Sequence, residues 1–184
     1  MNIESQIVLN QFEPRWYQNR VLDALCNKGY KRAIIIWPRR AGKDIVAWNF
    51  CIRKAIEKPC TIFYLFPTYS QARKVIWQSI TNEGKRFLDF IPPALIDRTN
   101  EQLMQVKFTN GSVLQLVGSD KYDALVGTNP YVCVFSEYAL QDPRAFQFLR
   151  PILVANDGIA LFVSTPRGKN HLYELHQMAL SNPH

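Results

Sequence analysis

A short basic loop between two apolar stretches contains the residues of this chain whose types and spacing could bind phosphate. The apolar run Ala33–Ile36 precedes the loop, the loop ends in Gly42-Lys43, and apolar residues at near-helical spacing follow Asp44. In a loop of this kind, backbone N–H groups and the helix N-terminus face an anion, and the lysine reaches the β- and γ-phosphates. The predicted nucleotide-binding residues of the loop are Pro38, Arg39, Arg40, Ala41, Gly42, Lys43 and Asp44.

The loop departs from the usual pattern G-x-x-x-x-G-K-[ST] at two positions. Trp37 stands where the first glycine belongs, and Asp44 replaces the serine or threonine. An ordinary basic turn at a helix N-terminus, with Asp44 complementing the helix dipole, would contain the same residues. The loop alone therefore leaves both interpretations open.

Two later apolar runs also end in polar residues. Tyr131–Phe135 is followed by Ser136-Glu137, and Ile159–Val163 is followed by Ser164-Thr165. Open α/β sheets place their ligand chemistry at the carboxyl ends of parallel strands. If these strands are parallel to the one before the loop, three polar strand ends meet at one edge of the sheet, which is the arrangement that nucleotide hydrolysis needs.

Each predicted catalytic residue has a role that fits its chemistry. Lys43 neutralises charge that develops on the phosphates, Glu137 orients the attacking water, and Arg39 or Arg40 stabilises charge on the γ-phosphate as an arginine finger does. Magnesium needs oxygen ligands near the β- and γ-phosphates. The predicted metal ligands are Asp44, in place of the usual hydroxyl, and Ser136, directly or through water.

The elements that must position these residues alternate between helix and strand, which indicates an α/β fold with a mostly parallel central sheet flanked by helices. Asn110-Gly111 predicts an antiparallel hairpin within residues 105–116, which we place at an edge of the sheet. Residues 87–98 and 118–129 are predicted loop regions. Further predicted elements are a helix from Trp16 to Leu25, a strand from Cys60 to Pro67, a helix from Thr68 to Trp77, a short helix after Asp142-Pro143 and a final helix from Leu172 to Ala179.

Composition excludes several classes of protein. The 184 residues are 47% hydrophobic and 20% charged, which suits one globular domain with a sizeable core. The net charge of +7 favours a polyanionic partner, although a solvated basic surface has the same count. No apolar run is long enough to span a membrane, and Met1–Gln11 lacks the pattern of a signal peptide. The four cysteines show no paired spacing, so we expect reduced thiols in an intracellular protein.

Three motifs in this order resemble the ATPase domain of the large terminase subunit of tailed bacteriophages. They are Arg39–Lys43, Phe135–Ala139 and Phe162–Lys169, and the resemblance extends from about Pro14 to Leu180. It implies a P-loop NTPase fold of the ASCE type. It also implies a motor that hydrolyses ATP with Mg²⁺ and drives double-stranded viral DNA into a procapsid.

The resemblance also implies roles for individual residues. The loop around Gly42-Lys43 would be the Walker A motif, and the strand end from Phe135 to Glu137 would be the Walker B motif with its catalytic glutamate. Ser164 and Thr165 would couple hydrolysis to movement. Trp16, Tyr17 and Gln18 would read the adenine, and the alternative for this segment is a helix that packs on the sheet by its aromatic side chains.

Two departures from the family pattern stand at positions that face the metal. Ser136 replaces the usual Walker B aspartate and Asp44 replaces the usual Walker A hydroxyl, so we hypothesise that the two changes compensate. Relatives often carry an arginine in the loop before Walker B, whereas Leu125-Val126-Gly127 has none. Arg39 is therefore the expected finger, and a finger from a neighbouring subunit stays open.

The family further implies its partners and location. These are double-stranded DNA, the portal protein, the small terminase subunit and a homo-oligomeric, pentameric ring, in the host cell cytoplasm, outside the virion and away from membranes. We expect residues 1–184 to be a single ATPase domain without the C-terminal nuclease domain of the family, and therefore without nuclease activity. Candidate DNA contacts are Arg73, Lys74, Lys85, Arg86 and Lys121, although the favoured interpretation of each is a solvated surface charge.

Two other functions fit parts of the sequence. A helicase-like DNA-dependent ATPase would share the upstream glutamine and the Ser-Thr strand end. A nucleotide-binding or DNA-binding module that no longer hydrolyses would explain the departures at Asp44 and Ser136.

Overall fold

Runs of β-branched and aromatic residues form the central strands of this protein, and apolar residues at helical spacing mark its longer helices. The computed structural model describes residues 11–181. The segment Met1–Gln11, for which the sequence predicts no signal peptide, therefore lies outside the described residues except for Gln11. The strands are β1 Arg32–Ile36, β2 Thr61–Phe66, β3 Ile96–Asn100, β4 Gln105–Phe108, β5 Val113–Gly118, β6 Pro130–Ser136 and β7 Ile159–Ser164. The helices are α1 Trp16–Leu22, α2 Lys43–Glu57, α3 Tyr69–Ala72, α4 Arg144–Ala155 and α5 His171–Ser181.

Some helical turns of this protein differ from the α-helix: π-helical turns are wider, and 3₁₀ turns are tighter. α1 and α3 continue as π-helical turns, and the connections contain short 3₁₀ segments. The π-helical turns are Asp23–Asn27 and Arg73–Trp77, and the 3₁₀ segments are Phe87–Phe90, Pro93–Leu95, Ser119–Leu125 and Tyr138–Leu140.

One seven-stranded sheet joins these elements in the order β1-β7-β6-β2-β5-β4-β3. Neighbouring strands from β1 to β5 in this order pair in parallel, while β4 pairs antiparallel with β5 and with β3. The predicted α/β fold with a mostly parallel sheet and an antiparallel hairpin near residues 105–116 is confirmed.

The predicted edge position of the hairpin is wrong. Strand β5 of the hairpin pairs in parallel with the central strand β2, and the strand at that edge of the sheet is β3. The sequence predicts a loop region that ends at Arg98, whereas Ile96–Asn100 forms strand β3. These residues are mostly polar and lack apolar alternation, so no strand pattern marks them. Four of its five residues are exposed, as charged and polar side chains on an edge strand commonly are.

The sheet separates two apolar cores. Alternate residues of β2 show this: Ile62 and Tyr64 pack on one face with α2, whereas Phe63 and Leu65 pack on the other face with α4 and α5. Successive side chains of a strand point to opposite faces, so a strand covered on both sides is apolar throughout. The central strands are therefore continuous apolar runs.

The carboxyl ends of β1, β7 and β6 lie next to each other at one edge of the sheet. In the parallel register Ile36 stands opposite Ser164, and Val163 stands opposite Ser136. The predicted convergence of the three polar strand ends is therefore confirmed. No helix within residues 11–181 is long and apolar enough to cross a membrane. The cysteines Cys26, Cys51, Cys60 and Cys133 are all free thiols.

Candidate active site

The phosphate loop, residues 37–44, joins β1 to α2 through two left-handed backbone positions. Arg40 has φ 63° and Gly42, which caps the N-terminus of α2, has φ 74°. A Cβ at Gly42 would lie 2.6 Å from Nε2, the flexible end of the Gln18 side chain, and the left-handed conformation is the main reason why glycine is favoured here. The first N–H groups of a helix have no partner within the helix, and the loop turns the chain so that those of α2 can meet an anion.

Lys43, Glu137 and Thr165 come together from the three strand ends. Nζ of Lys43 lies 3.3 Å from Oε1 of Glu137, and Thr165 donates its hydroxyl to Oε2 of Glu137 at 3.2 Å. Lys43 is only 7% exposed, which strengthens this ion pair relative to one in water. Glu137 itself has φ 52°, an uncommon conformation for a residue other than glycine, directly after β6.

A second cation, Arg167, approaches the same carboxylate. Its Nε lies 4.0 Å from Oε2 of Glu137. Arg167 is not among the site residues predicted from the sequence, although its position just after the polar end of β7 is a usable signal. Arg39, the predicted finger, is exposed in the phosphate loop, and it is Arg40 that lines the adjoining pocket.

Asp44 and Ser136, the two residues predicted to bind the metal, are in direct contact. Ser136 donates its hydroxyl to Oδ1 of Asp44 at 2.6 Å, and Tyr64 donates its own to the same oxygen at 3.0 Å. Burial raises the pKa of Asp44, while the hydrogen bond from Ser136 and the charge of Lys43 oppose that rise. Burial also raises the pKa of Tyr64 well above its ordinary value. Sequence reasoning missed Tyr64 because it stands inside an apolar strand.

This oxygen set fits Mg²⁺ held jointly with a nucleotide. Mg²⁺ is usually bound through one or two carboxylates together with substrate phosphates and waters. Asp44 offers one half-buried carboxylate in the first turn of α2, where phosphates would bind. Within residues 11–181 no group of three or more His, Cys, Asp or Glu residues could hold a metal ion without such help.

A pocket of about 630 Å³ adjoins the phosphate loop. Arg40, Lys43 and Asp44 line one part of it, and Phe12 and Gln18 are among the residues that line the rest. Polar and apolar walls thus meet in one cavity, which suits a ligand with a phosphate end and an aromatic end.

The predicted adenine-reading segment divides between this pocket and the phosphate loop. Gln18 lines the pocket and donates Nε2–H to the carbonyl of Gly42 at 3.0 Å. Tyr17 instead donates its hydroxyl to the carbonyl of Ala41 at 3.1 Å, and its ring packs edge-on against Trp37 with centroids 4.9 Å apart. Trp16 is 72% exposed. Tyr17 therefore braces the phosphate loop, and of the three residues it is Gln18 that the structure brings to the pocket.

Thr165, one of the two predicted coupling residues, contacts Glu137 as described above, and the other, Ser164, forms contacts with the segments on both sides of it. Ser164 is completely buried, and its Oγ accepts a hydrogen bond from the N–H of Ala139 at 3.4 Å, close to Glu137 in the chain. The carbonyl of Ser164 accepts the N–H of Trp37 at 3.2 Å. The end of β7 is thus joined both to the segment after Glu137 and to the start of the phosphate loop.

The candidate DNA contacts are spread over the surface, and several have partners within the chain. Arg73 lies 3.8 Å from Glu101, and Arg86 lies 3.1 Å from Asp89. Lys85 donates to the carbonyl of Gln11 at 3.3 Å. These pairs fit the interpretation of solvated surface charges.

Comparison with known proteins shows one consistent group of relatives. The chain is 28% identical over 166 residues to the large terminase subunit of Escherichia phage T5, and the match covers 89% of this chain and 36% of that protein. The chain thus spans little more than a third of that relative. No protein-family model matches the chain.

Solved structures of the same group have the same fold. The large terminase ATPase domain of Thermus phage P74-26 superposes with a TM-score of 0.72 at 22% identity, covering 90% of this chain and 70% of that one. The large terminase of a second thermophilic bacteriophage superposes with a TM-score of 0.73 at 17% identity, covering 92% of this chain and 44% of that one. This second terminase has also been solved in complex with ATP-gamma-S. The predicted likeness of the fold to large terminase ATPase domains and the resemblance in sequence to a large terminase subunit are confirmed.

Proposed function

We propose that this chain is an ATP-hydrolysing motor domain that drives double-stranded viral DNA into a procapsid, as part of a large terminase subunit. The observation that carries the proposal is the meeting of Lys43, Glu137 and Thr165 at the carboxyl edge of the sheet, next to the phosphate loop. The likeness to terminases, one of which was solved with ATP-gamma-S, supports ATP as the nucleotide.

The proposed reaction assigns a step to each side chain. Lys43 leaves Glu137 and pairs with the phosphates when the nucleotide binds, because a phosphate carries more negative charge than one carboxylate. Glu137, released from Lys43, then orients the water for attack on the γ-phosphate. Bound Mg²⁺, held by Asp44 and by Ser136 directly or through water, would neutralise charge on the β- and γ-phosphate oxygens.

An arginine would complete the charge stabilisation. Arg39 is the finger predicted from the sequence, and the position of Arg167 beside Glu137 makes it a second candidate within the chain. A finger supplied by a neighbouring subunit fits the same proposal.

Coupling to movement is proposed for Ser164 and Thr165. Thr165 contacts Glu137, and Ser164 contacts the segment that follows it. A change at Glu137 when the γ-phosphate leaves would therefore pass directly to the end of β7. The proposed partners are double-stranded DNA, the portal protein, the small terminase subunit and other copies of the chain in a pentameric ring, in the host cell cytoplasm.

The test is Mg²⁺-dependent ATP hydrolysis by the chain and by Lys43→Ala and Glu137→Gln variants, with and without duplex DNA. Lys28→Ala and Glu174→Gln are matched controls, because both alter exposed side chains that are not among the proposed site residues. We expect turnover to be lost in both site variants and kept in both controls. We also expect nucleotide binding to survive in Glu137→Gln and to fail in Lys43→Ala.

The same assay separates the proposed ATPase from a module that binds nucleotide without hydrolysing it. A module that no longer hydrolyses, which the departures at Asp44 and Ser136 would explain, would bind ATP without turnover even with DNA and partners present. Absence of nucleotide binding in the parent chain would refute the proposal.

A further inference from the structure

A tyrosine that belongs to none of the recognised motifs contacts the predicted metal ligand. Tyr64 lies on β2, next to β6, and is completely buried. Its hydroxyl donates to Oδ1 of Asp44 at 3.0 Å, the same oxygen that accepts the hydroxyl of Ser136 at 2.6 Å.

The ring of Tyr64 is held from two sides. It stacks on Phe66 with centroids 5.5 Å apart, and it packs against Trp48 at 6.0 Å. Trp48 lies one helical turn after Asp44, so both contacts of Tyr64 with α2 are on the same helix face. Trp48 is itself anchored, because its indole N–H donates to the carbonyl of Phe87 at 2.8 Å. The tyrosine hydroxyl therefore has a fixed position relative to the first turn of α2.

We propose that Tyr64 is a positioning residue that orients the carboxylate of Asp44 for the Mg²⁺ of a bound nucleotide. This inference rests on the proposed function, because it needs the nucleotide site. Two hydroxyl donors occupy Oδ1, which leaves Oδ2 as the oxygen for a cation. Without the tyrosine donor, Asp44 would keep only the bond from Ser136, and its carboxylate could turn away from that orientation.

A merely structural role for Tyr64 predicts a different pattern. A buried hydroxyl needs a hydrogen-bond partner, and Asp44 would serve as one whether or not a metal binds. Loss of the hydroxyl would then change the stability of the chain or its affinity for nucleotide in general. A positioning role predicts a loss confined to the contribution of the metal.

The experiment measures equilibrium binding of the non-hydrolysable ATP analogue AMP-PNP by calorimetry, in Mg²⁺ and in EDTA. It compares the parent chain, Tyr64→Phe, and the matched control Tyr131→Phe at the amino end of the adjacent strand. Tyr64→Phe keeps the ring and its stacking, and its unfolding temperature without nucleotide reports whether the variant folds. The readout is the ratio of the Kd in EDTA to the Kd in Mg²⁺.

We expect the ratio in Tyr64→Phe to fall by about tenfold, the effect of losing one hydrogen bond to a charged group, while its Kd in EDTA stays unchanged. Tyr131→Phe should keep the parent ratio. An unchanged ratio in Tyr64→Phe, or equal weakening in Mg²⁺ and EDTA, would overturn the inference. A parent chain that binds the analogue equally with and without Mg²⁺ would overturn it and leave nucleotide binding intact, whereas no binding at all would overturn the proposed function.

Discussion

Exchanging Asp44 and Ser136 would give the proposed site the arrangement that the resemblance to terminases implies, with a hydroxyl in the first turn of α2 and a carboxylate at the end of β6. The two side chains already share a hydrogen bond of 2.6 Å between Oγ of Ser136 and Oδ1 of Asp44. The Asp44→Ser, Ser136→Asp double variant keeps one carboxylate and one hydroxyl in contact and only swaps the elements that carry them. We expect it to retain Mg²⁺-dependent binding of ATP.

The single variants should each fail in a different way. Asp44→Ser removes the carboxylate, and losing a charge-assisted contact of about 1.5–3 kcal/mol should weaken Mg²⁺-dependent affinity by about 10- to 100-fold. Ser136→Asp places a second carboxylate beside the first. Two like charges about 4 Å apart repel by about 4 kcal/mol at an effective dielectric constant of 20, so the chain without nucleotide should lose stability on that order.

A double-mutant cycle with two readouts measures the exchange. Denaturant unfolding without nucleotide gives the stability of the parent, both single variants and the double variant, and calorimetry with AMP-PNP and Mg²⁺ gives their affinities. Ser136→Asp should be several-fold less costly in the Asp44→Ser background, where no like charge faces it, and the double variant should bind Mg²⁺-nucleotide better than Asp44→Ser alone. Equal destabilisation by Ser136→Asp in both backgrounds, with no recovery of affinity, would refute the compensation hypothesis.

Three further predictions concern neighbouring residues. Gly42→Ala should lower the free energy of unfolding by about 1–2 kcal/mol, because the backbone at this position is left-handed and the new Cβ would meet Gln18. Thermal unfolding measures the change, and an unchanged unfolding temperature would contradict the prediction. Asp44→Asn should stabilise the chain without nucleotide at neutral pH, because burial raises the pKa of Asp44 above 3.8 and the charged carboxylate therefore weakens the folded state as pH rises through that raised pKa. Unfolding curves should show that this gain in stability shrinks as pH falls towards 3.8. A gain that grows on acidification would contradict the predicted direction. Arg167→Ala should lower kcat by about tenfold or more with little change in KM, because its guanidinium would act with Glu137 in the transition state. Steady-state kinetics measure both constants, and a rise in KM alone would argue against this role.

Much of the site could be predicted from the sequence because its signals are local. A glycine followed by a lysine after a β-branched run predicts a phosphate loop, since the strand, turn and helix all lie within a short stretch around Gly42-Lys43. Polar residues directly after an apolar strand, as at Glu137 and Thr165, are equally local. The Asn110-Gly111 hairpin is a third case, because the turn residues themselves determine its geometry.

Other features depend on which strands become neighbours. The hairpin could be predicted but its place in the sheet could not, because the polar strand β3 pairs beside it through backbone hydrogen bonds that depend little on side-chain type. Tyr17 reads as a stacking residue in the sequence, yet its hydroxyl and ring brace the phosphate loop through Ala41 and Trp37, which lie beyond the first strand in the chain.

The sequence by itself determined the fold class, the phosphate loop and the three polar strand ends, because each depends on residues close together in the chain. Only the tertiary structure decided how those ends cooperate. Ser136 and Tyr64 are 92 and 20 residues from Asp44, and they donate to one of its oxygens because β6 and β2 pair in parallel beneath the first turn of α2. Contacts between distant residues follow from strand order and register, which arise from packing over the whole domain.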